Sequence, residues 1–115
     1  MSGGAFWFLG ASGVDVLDVN GDANWDLSDT RLVSSGGGRL QIDEIERTFI
    51  TGGTSGNHIN TTMFSGTATL DGGAGHDLLR SGPGKDILYG GIGNDRLQSG
   101  AGDDTLYGQD GNDLL

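Results

Sequence analysis

Cysteine is missing from this chain of 115 residues, so neither a disulfide framework nor a zinc–thiolate site can hold it together. Proline occurs once, at Pro83, which excludes a collagen-like helix despite the abundance of glycine. Positive charge is scarce as well: six Lys and Arg stand against sixteen Asp and Glu, a formal net charge of −10. With no basic patch to meet phosphate, nucleic acid is not an expected partner. Nothing approaches the ~20 apolar residues of a membrane span. Ala5 to Leu9 (AFWFL) is apolar but brief and lacks a basic leader, so export is expected to rely on another signal.

Catalytic signatures are equally sparse. Ser55 is followed directly by Gly56, which breaks the G-x-S-x-G elbow, and the two histidines, His58 and His76, are too far apart for H-E-x-x-H. No P-loop lysine follows a glycine run. Asp43, Glu44 and Glu46 read as a solvated face rather than an acid–base pair. The expectation is a chain without catalytic function.

What the chain has is glycine, 24 of them, and a period. From Gly72 the sequence reads GGAGHDLLR, SGPGKDILY, GGIGNDRLQ, SGAGDDTLY and GQDGNDLL. The fourth place is always glycine (Gly75, Gly84, Gly93, Gly102, Gly111) and the sixth always aspartate (Asp77, Asp86, Asp95, Asp104, Asp113). The eighth is always leucine (Leu79, Leu88, Leu97, Leu106, Leu115). Neighbouring side chains on a strand face opposite ways, so a segment such as Ile87-Leu88-Tyr89 sends only its middle residue inward, and the leucine column is the core. Glycines at places one, two and four permit the tight reversal before the next strand. The economical arrangement is a coil of two units, eighteen residues, with alternate units stacked into two parallel sheets.

Stacking sets Asp77, Asp95 and Asp113 in one column and Asp86 and Asp104 in another, on the opposite edge. Strands lie ~4.8 Å apart, and carboxylates held at that spacing repel unless a positive charge sits between them. Lys85, Arg80 and Arg96 share no constant column, so they cannot supply it. A hard divalent cation can, because it takes ~6 to 8 oxygens from carboxylates and backbone carbonyls, and calcium suits such turns better than the small octahedral magnesium.

This pattern resembles the RTX (haemolysin-type calcium-binding) nonapeptide, G-G-x-G-x-D-x-U-x, over about the last two-fifths of the chain. The resemblance implies an all-β fold, a right-handed parallel β-roll with Ca2+ in the turns. It further implies that Asp77 with Asp95, Asp86 with Asp104, and Asp95 with Asp113 each bracket an ion, roughly three complete sites. The turn carbonyls belong to Gly72, Gly73, Gly75, Ser81, Gly82, Gly84, Gly90, Gly91, Gly93, Ser99, Gly100, Gly102, Gly108 and Gly111. Ser81 and Ser99 depart from the first glycine and Gln109 from the second, the last putting the final turn in question. Such repeats imply a secreted, extracellular module that folds on binding calcium. Alternatives are a calcium-stiffened adhesin or spacer with a glycan or protein ligand, and the non-catalytic tail of a secreted protease or lipase. An open end at Leu115 invites end-to-end self-association.

Upstream, residues 63–71 (MFSGTATLD) form a degenerate unit that keeps Gly66 and Leu70 but has Ala68 in place of aspartate. In GTSGNHINT the corresponding place is read as His58. Residues 1–62 are expected to be irregular β-rich coils acting as an N-terminal cap, with strands from Val14, over Asn24 to Leu27 and Thr30 to Val33, and within Arg39 to Ile50. Asn20-Gly21 signals a turn and Ser34 to Gly38 a loop. Trp7 and Trp25 are expected to pack within this cap, and Tyr89 and Tyr107 to stack on one sheet. A second calcium reading lies here: Asp18, Asn20, Asp22, Asn24, Asp26 and Asp29 fall at places one, three, five, seven, nine and twelve of an EF-hand-like loop. Ala23 stands where that loop needs glycine, and a plain acidic hairpin edge is the alternative.

Overall fold

Residues 5–9, 16–35, 39–41 and 45–115 are described in the computed structural model, and they form strands and turns with no helix among them. The strands are β1 (Ala5–Leu9), β2 (Val16–Asn20), β3 (Trp25–Ser28), β4 (Arg31–Ser34), β5 (Arg39–Gln41) and β6 (Arg47–Thr51). They continue as β7 (His58–Met63), β8 (Thr67–Asp71), β9 (Leu78–Ser81), β10 (Ile87–Tyr89), β11 (Arg96–Gln98) and β12 (Thr105–Tyr107). Val14, Asp43, Glu44 and the Gly36 to Gly38 part of the expected loop lie outside the described residues, as does the side chain of Trp7.

Strand alternation builds the interior. In β2, Leu17 and Val19 are buried while Asp18 and Asn20 face water, and in β10 only Leu88 is sealed. Leu70, Leu79, Leu88 and Leu97 make one apolar column with Ile50, Ile59 and Trp25 behind them. Burying each such leucine contributes ~1.5 to 3 kcal/mol. The column thins along the repeats: Leu106 is only partly buried and Leu115 is exposed.

Two six-stranded sheets enclose this column, ordered β1-β2-β6-β8-β10-β12 and β11-β9-β7-β3-β4-β5. Leu70 lies opposite Leu88, Leu88 opposite Leu106, and Leu79 opposite Leu97, all in parallel register. Alternate units therefore stack at a step of eighteen, as the period demands. The preceding coils step by twenty, since Ile50 lies opposite Leu70 and Ile59 opposite Leu79. The surplus residues are taken up around the longer β7 and the inserted Phe64, which is buried.

The sheets are mixed rather than wholly parallel, which departs from the simple roll. β1 pairs antiparallel with β2, and β3, β4 and β5 form an antiparallel meander. The reversal after β3 has a local cause: the Ser28 hydroxyl accepts hydrogen bonds from the Thr30 and Arg31 amides at 3.4 and 3.2 Å, closing a tight turn. Both sheets nonetheless run unbroken from the early coils into the repeats, because β8 pairs with β6 and β10, and β9 with β7 and β11.

Candidate metal centre

The turns between repeat strands are built on glycine for a steric reason as much as a conformational one. Gly93 sits at φ 124°, and a Cβ there would strike the carbonyl oxygen of Gly75 in the coil beneath. Gln109 holds the second place of its unit with φ 67°, the positive φ of a non-glycine residue among the described ones. The last turn thus forms with glycine's geometry despite the substitution.

Each aspartate reaches back along the stack. Asp95 Oδ1 accepts the amide of Asp77 at 2.8 Å, Asp113 Oδ1 that of Asp95 at 2.8 Å, and Asp104 Oδ1 that of Asp86 at 2.9 Å. The two ladders continue into the degenerate coils, where Asp77 Oδ1 accepts the Asn57 amide at 2.6 Å and Asp86 Oδ1 the Ala68 amide at 2.9 Å. One oxygen of each carboxylate is committed to holding coils together.

The other oxygen is not. Oδ2 of Asp77, Asp86 and Asp95 is buried with no hydrogen-bond partner. A buried, unpaired carboxylate oxygen is costly. Burial, above all, pushes the Asp77 carboxyl up to about 6, opposed by the Asn57 amide and reinforced by the negative charge of Asp95. Desolvation likewise raises Asp86 and Asp95, with Asp104 and Asp113 adding like charge. Around those of Asp77 and Asp95 the backbone is open: an ideal Cβ on Gly90 would lie 2.7 Å from Asp95 Oδ2 and 2.7 Å from the Gly108 carbonyl oxygen. At Gly72 the same point meets Asp77 Oδ2 and the Gly90 carbonyl. Carboxylate and carbonyl oxygens thus converge on a space only glycine leaves free, and an all-oxygen donor set of this kind suits calcium.

Among the described residues no three His, Cys, Asp or Glu side chains converge on one point. Each prospective site therefore has its paired aspartates and must draw its remaining oxygens from the turn backbone. Not all the expected carbonyls are equally free. That of Gly73 accepts the Ile92 amide at 2.9 Å, whereas those of Gly90 and Gly108 face the aspartate oxygens. The carbonyls of Gly75, Gly82, Gly84 and Gly93 point at the glycine one coil on: Gly93, Gly100, Gly102 and Gly111. That of Gly73 points likewise at Gly91. Ser81 is buried and Ser99 half-buried at the first place.

The EF-hand-like set is not brought together. Asp18 and Asn20 face out from β2 and Asp26 from β3. Asp22 accepts the Ser55 amide, the Ser55 hydroxyl and the Asn57 side-chain amide, and Asp29 accepts the Ser65 amide at 2.7 Å. These hydrogen bonds, the Ser55 amide foremost, hold the Asp22 carboxyl below its ordinary range. Asp22 and Asp29 pin early turns to the next coil, and Asn24 does the same through the His58 amide at 2.9 Å.

Two features escaped the sequence. The residue in the aspartate column is Asn57, not His58: Asn57 stacks under Asp77, and its Nδ2 donates to Asp22 Oδ1 and the Ala23 carbonyl, while His58 faces water. Glycine at place five instead of four, at Gly56, hid the phase. The fifth column also carries a ladder, in which His76 Nδ1 accepts the Asn94 amide at 2.8 Å and Asn94 Oδ1 the Asn112 amide at 2.9 Å. Its signal was the run of His and Asn acceptors at alternate units. Tyr89 and Tyr107 stack as expected, with ring centroids 5.1 Å apart and planes 10° from parallel.

Compared with known families, residues 64–97 and 89–115 match the model of the RTX calcium-binding nonapeptide repeat, in four copies. No curated protein and no solved structure matched the chain.

Proposed function

Because residues 64–115 are RTX calcium-binding nonapeptide repeats, we propose that this chain is a calcium-dependent folding module of a secreted bacterial protein. Its repeats wind as a right-handed roll around ions held in the turns, and residues 1–62 cap it. The observation that carries the reading is the set of buried, unpartnered Oδ2 atoms on Asp77, Asp86 and Asp95, with glycine leaving room beside those of Asp77 and Asp95. Roughly three ions are expected: two on the edge of Asp77, Asp95 and Asp113, one on the edge of Asp86 and Asp104. Bound there, calcium supplies the positive charge that offsets the stacked carboxylates. The chain's own residues do the rest: Oδ1 of each aspartate fixes the coil beneath, Oδ2 faces the ion, and on the Asp77/Asp95/Asp113 edge glycine keeps side chains out. Ala68 and Asn57 end the two carboxylate columns, so the capping coils stack without adding sites. The module performs no catalysis.

Where such sites form only on folding, binding energy is folding energy, and the metal-free repeats are largely disordered. Circular dichroism in EGTA and in millimolar calcium tests this. A large gain of β signal on adding calcium is expected, and identical spectra refute the reading.

One observation favours a second, adhesive role. The outer face of the first sheet carries a cavity of about 630 Å³ lined by Arg47, Phe49, Lys85 and Ile87 among others, a mixed surface on which a glycan could rest. A glycan array with and without calcium separates the two: calcium-dependent retention of a defined sugar class supports adhesion, and uniform absence of signal removes it.

A further inference from the structure

The two edges of the roll are not chemically alike. On one, the first place of each unit is glycine: Gly72, Gly90 and Gly108. On the other it is serine, Ser81 and Ser99. At Gly90 the carboxylate oxygen of Asp95 lies only 2.7 Å from where a Cβ would be, closer than real side-chain carbons come. Ser81 has that carbon. The Asp86 carboxylate must therefore stand off from its first residue, and the oxygen cradle of the glycine edge cannot be reproduced on the serine edge.

Something else occupies the difference. The Ser81 side chain is buried, with 3% of its surface exposed, and its hydroxyl has no hydrogen-bond partner. It lies beside the Asp86 carboxyl without a hydrogen bond of good geometry to it. Ser81 Oγ and Asp86 Oδ2 are thus two buried oxygens on neighbouring groups, each without a hydrogen-bond partner. A buried hydroxyl ordinarily finds a partner. A hydroxyl oxygen is also a competent ligand for a hard cation.

We propose that the Ser81 hydroxyl is a direct ligand of the cation on the Asp86/Asp104 edge, so that the roll has two unlike classes of calcium site. The Asp77/Asp95/Asp113 edge holds two ions by carboxylates and carbonyls alone. The Asp86/Asp104 edge holds one ion with a side-chain hydroxyl in its shell. The inference rests on the calcium reading above.

Calorimetric titration of the full chain with calcium tests both and tells them apart. The wild type is expected to show two ions of one class and one of another. Ser81→Ala keeps the Cβ and removes the oxygen, and it is expected to weaken the single-ion class about tenfold, the scale of losing one neutral dipole from a charged centre. The two-ion class stays unchanged. A single set of three equal sites, or a Ser81→Ala titration superimposable on the wild type, overturns the proposal while leaving calcium binding intact. No heat and no binding in the wild type overturns the calcium reading itself. A second measurement guards against misfolding of the variant. In an Asp95→Asn background, which leaves the serine edge alone, Tb3+ replaces calcium and its luminescence lifetimes in H2O and D2O count bound water. Ser81→Ala is expected to gain one water on the ion, and an unchanged count refutes the hydroxyl as ligand.

Discussion

Asp95 is the member of its column with an aspartate both one coil below and one coil above, which makes Asp95→Asn the most informative substitution. Asparagine is nearly the same size and its Oδ1 can still accept the Asp77 amide, the 2.8 Å bond the coil depends on. Its Nδ2 takes the position of the unpartnered Oδ2, where the Gly108 carbonyl is at hand to accept. Without calcium the change is favourable. Two carboxylates ~4.8 Å apart repel by ~3.5 kcal/mol at an effective dielectric of ~20 and by ~1 kcal/mol in bulk water, so each neighbouring repulsion relieved stabilises the metal-free roll by ~1 to 3 kcal/mol. With calcium it is expected to be unfavourable, since each of the two ions proposed for that edge would lose a carboxylate. The chain already contains the precedent in Asn57, which occupies the same column with its Nδ2 bonded. The variant is expected to have more β structure than wild type in EGTA, less gain on adding calcium, and about one bound ion instead of three. Circular dichroism with equilibrium dialysis reads all of these. A variant less ordered than wild type in EGTA, or one that keeps the full complement of ions, would refute the electrostatic account. Asp104→Asn serves as the control and is expected to lose one ion.

The pH dependence follows from the raised carboxyls. A folded-state value of about 6 for Asp77, above its ordinary 3.8, means that the metal-free fold binds the proton more tightly than the unfolded chain. Stability without calcium is therefore greatest below pH ~4 and falls as pH rises through about 6, by up to ~3 kcal/mol for the full shift and ~1 to 2 kcal/mol once screening at the edge is allowed for. β signal in EGTA should fall between pH 4 and 7, and a rise would contradict the shift. Since calcium competes with that proton, the half-saturating calcium concentration should drop over the same range. Gly93→Ala, at φ 124° and against the Gly75 carbonyl, should cost ~2 kcal/mol or more, measured as a higher calcium midpoint, whereas Ala101→Gly in a free place should shift it by well under ~1 kcal/mol. Trp25→Ala empties a fully buried site and removes the indole bond to the Gly21 carbonyl, and should lower stability in saturating calcium by ~3 to 5 kcal/mol, read from the urea midpoint.

Much of this was written in the order of residues. Leu79, Leu88 and Leu97 recur at nine, and a strand of three can bury only its centre, so both the core and the eighteen-residue step could be read directly. The aspartate columns followed from the same arithmetic. What could not be read is set by contacts distant in sequence. Asn57 joins the Asp77 column through a coil two residues longer, and nothing local marks that lengthening. The antiparallel meander of β4 and β5 depends on Ser28 closing a turn, a choice a hydroxyl makes only once its neighbours are placed. Asp18 to Asp29 has the spacing of a cation loop, yet Asp18 and Asp26 face out from their strands, and Asp22 and Asp29 are committed to Ser55, Asn57 and Ser65, more than thirty residues away in sequence. The division of labour within each carboxylate, one oxygen bonded and one bare, is a property of packing that no motif states.

The alternate stacking also fixes a grammar for how such a chain can change length. Excising nine residues, Ser81 to Tyr89 for example, would keep every turn motif intact yet exchange the two edges for everything downstream. Asp95 would move into the column of Ala68, Leu97 would change sheets, and serine and glycine turns would collide in one file. Excising eighteen would leave each column in place and remove one whole winding. Inherited gains and losses in this roll should therefore come as paired duplications or deletions, and a single-unit indel should behave as a structural frameshift although the reading frame is untouched.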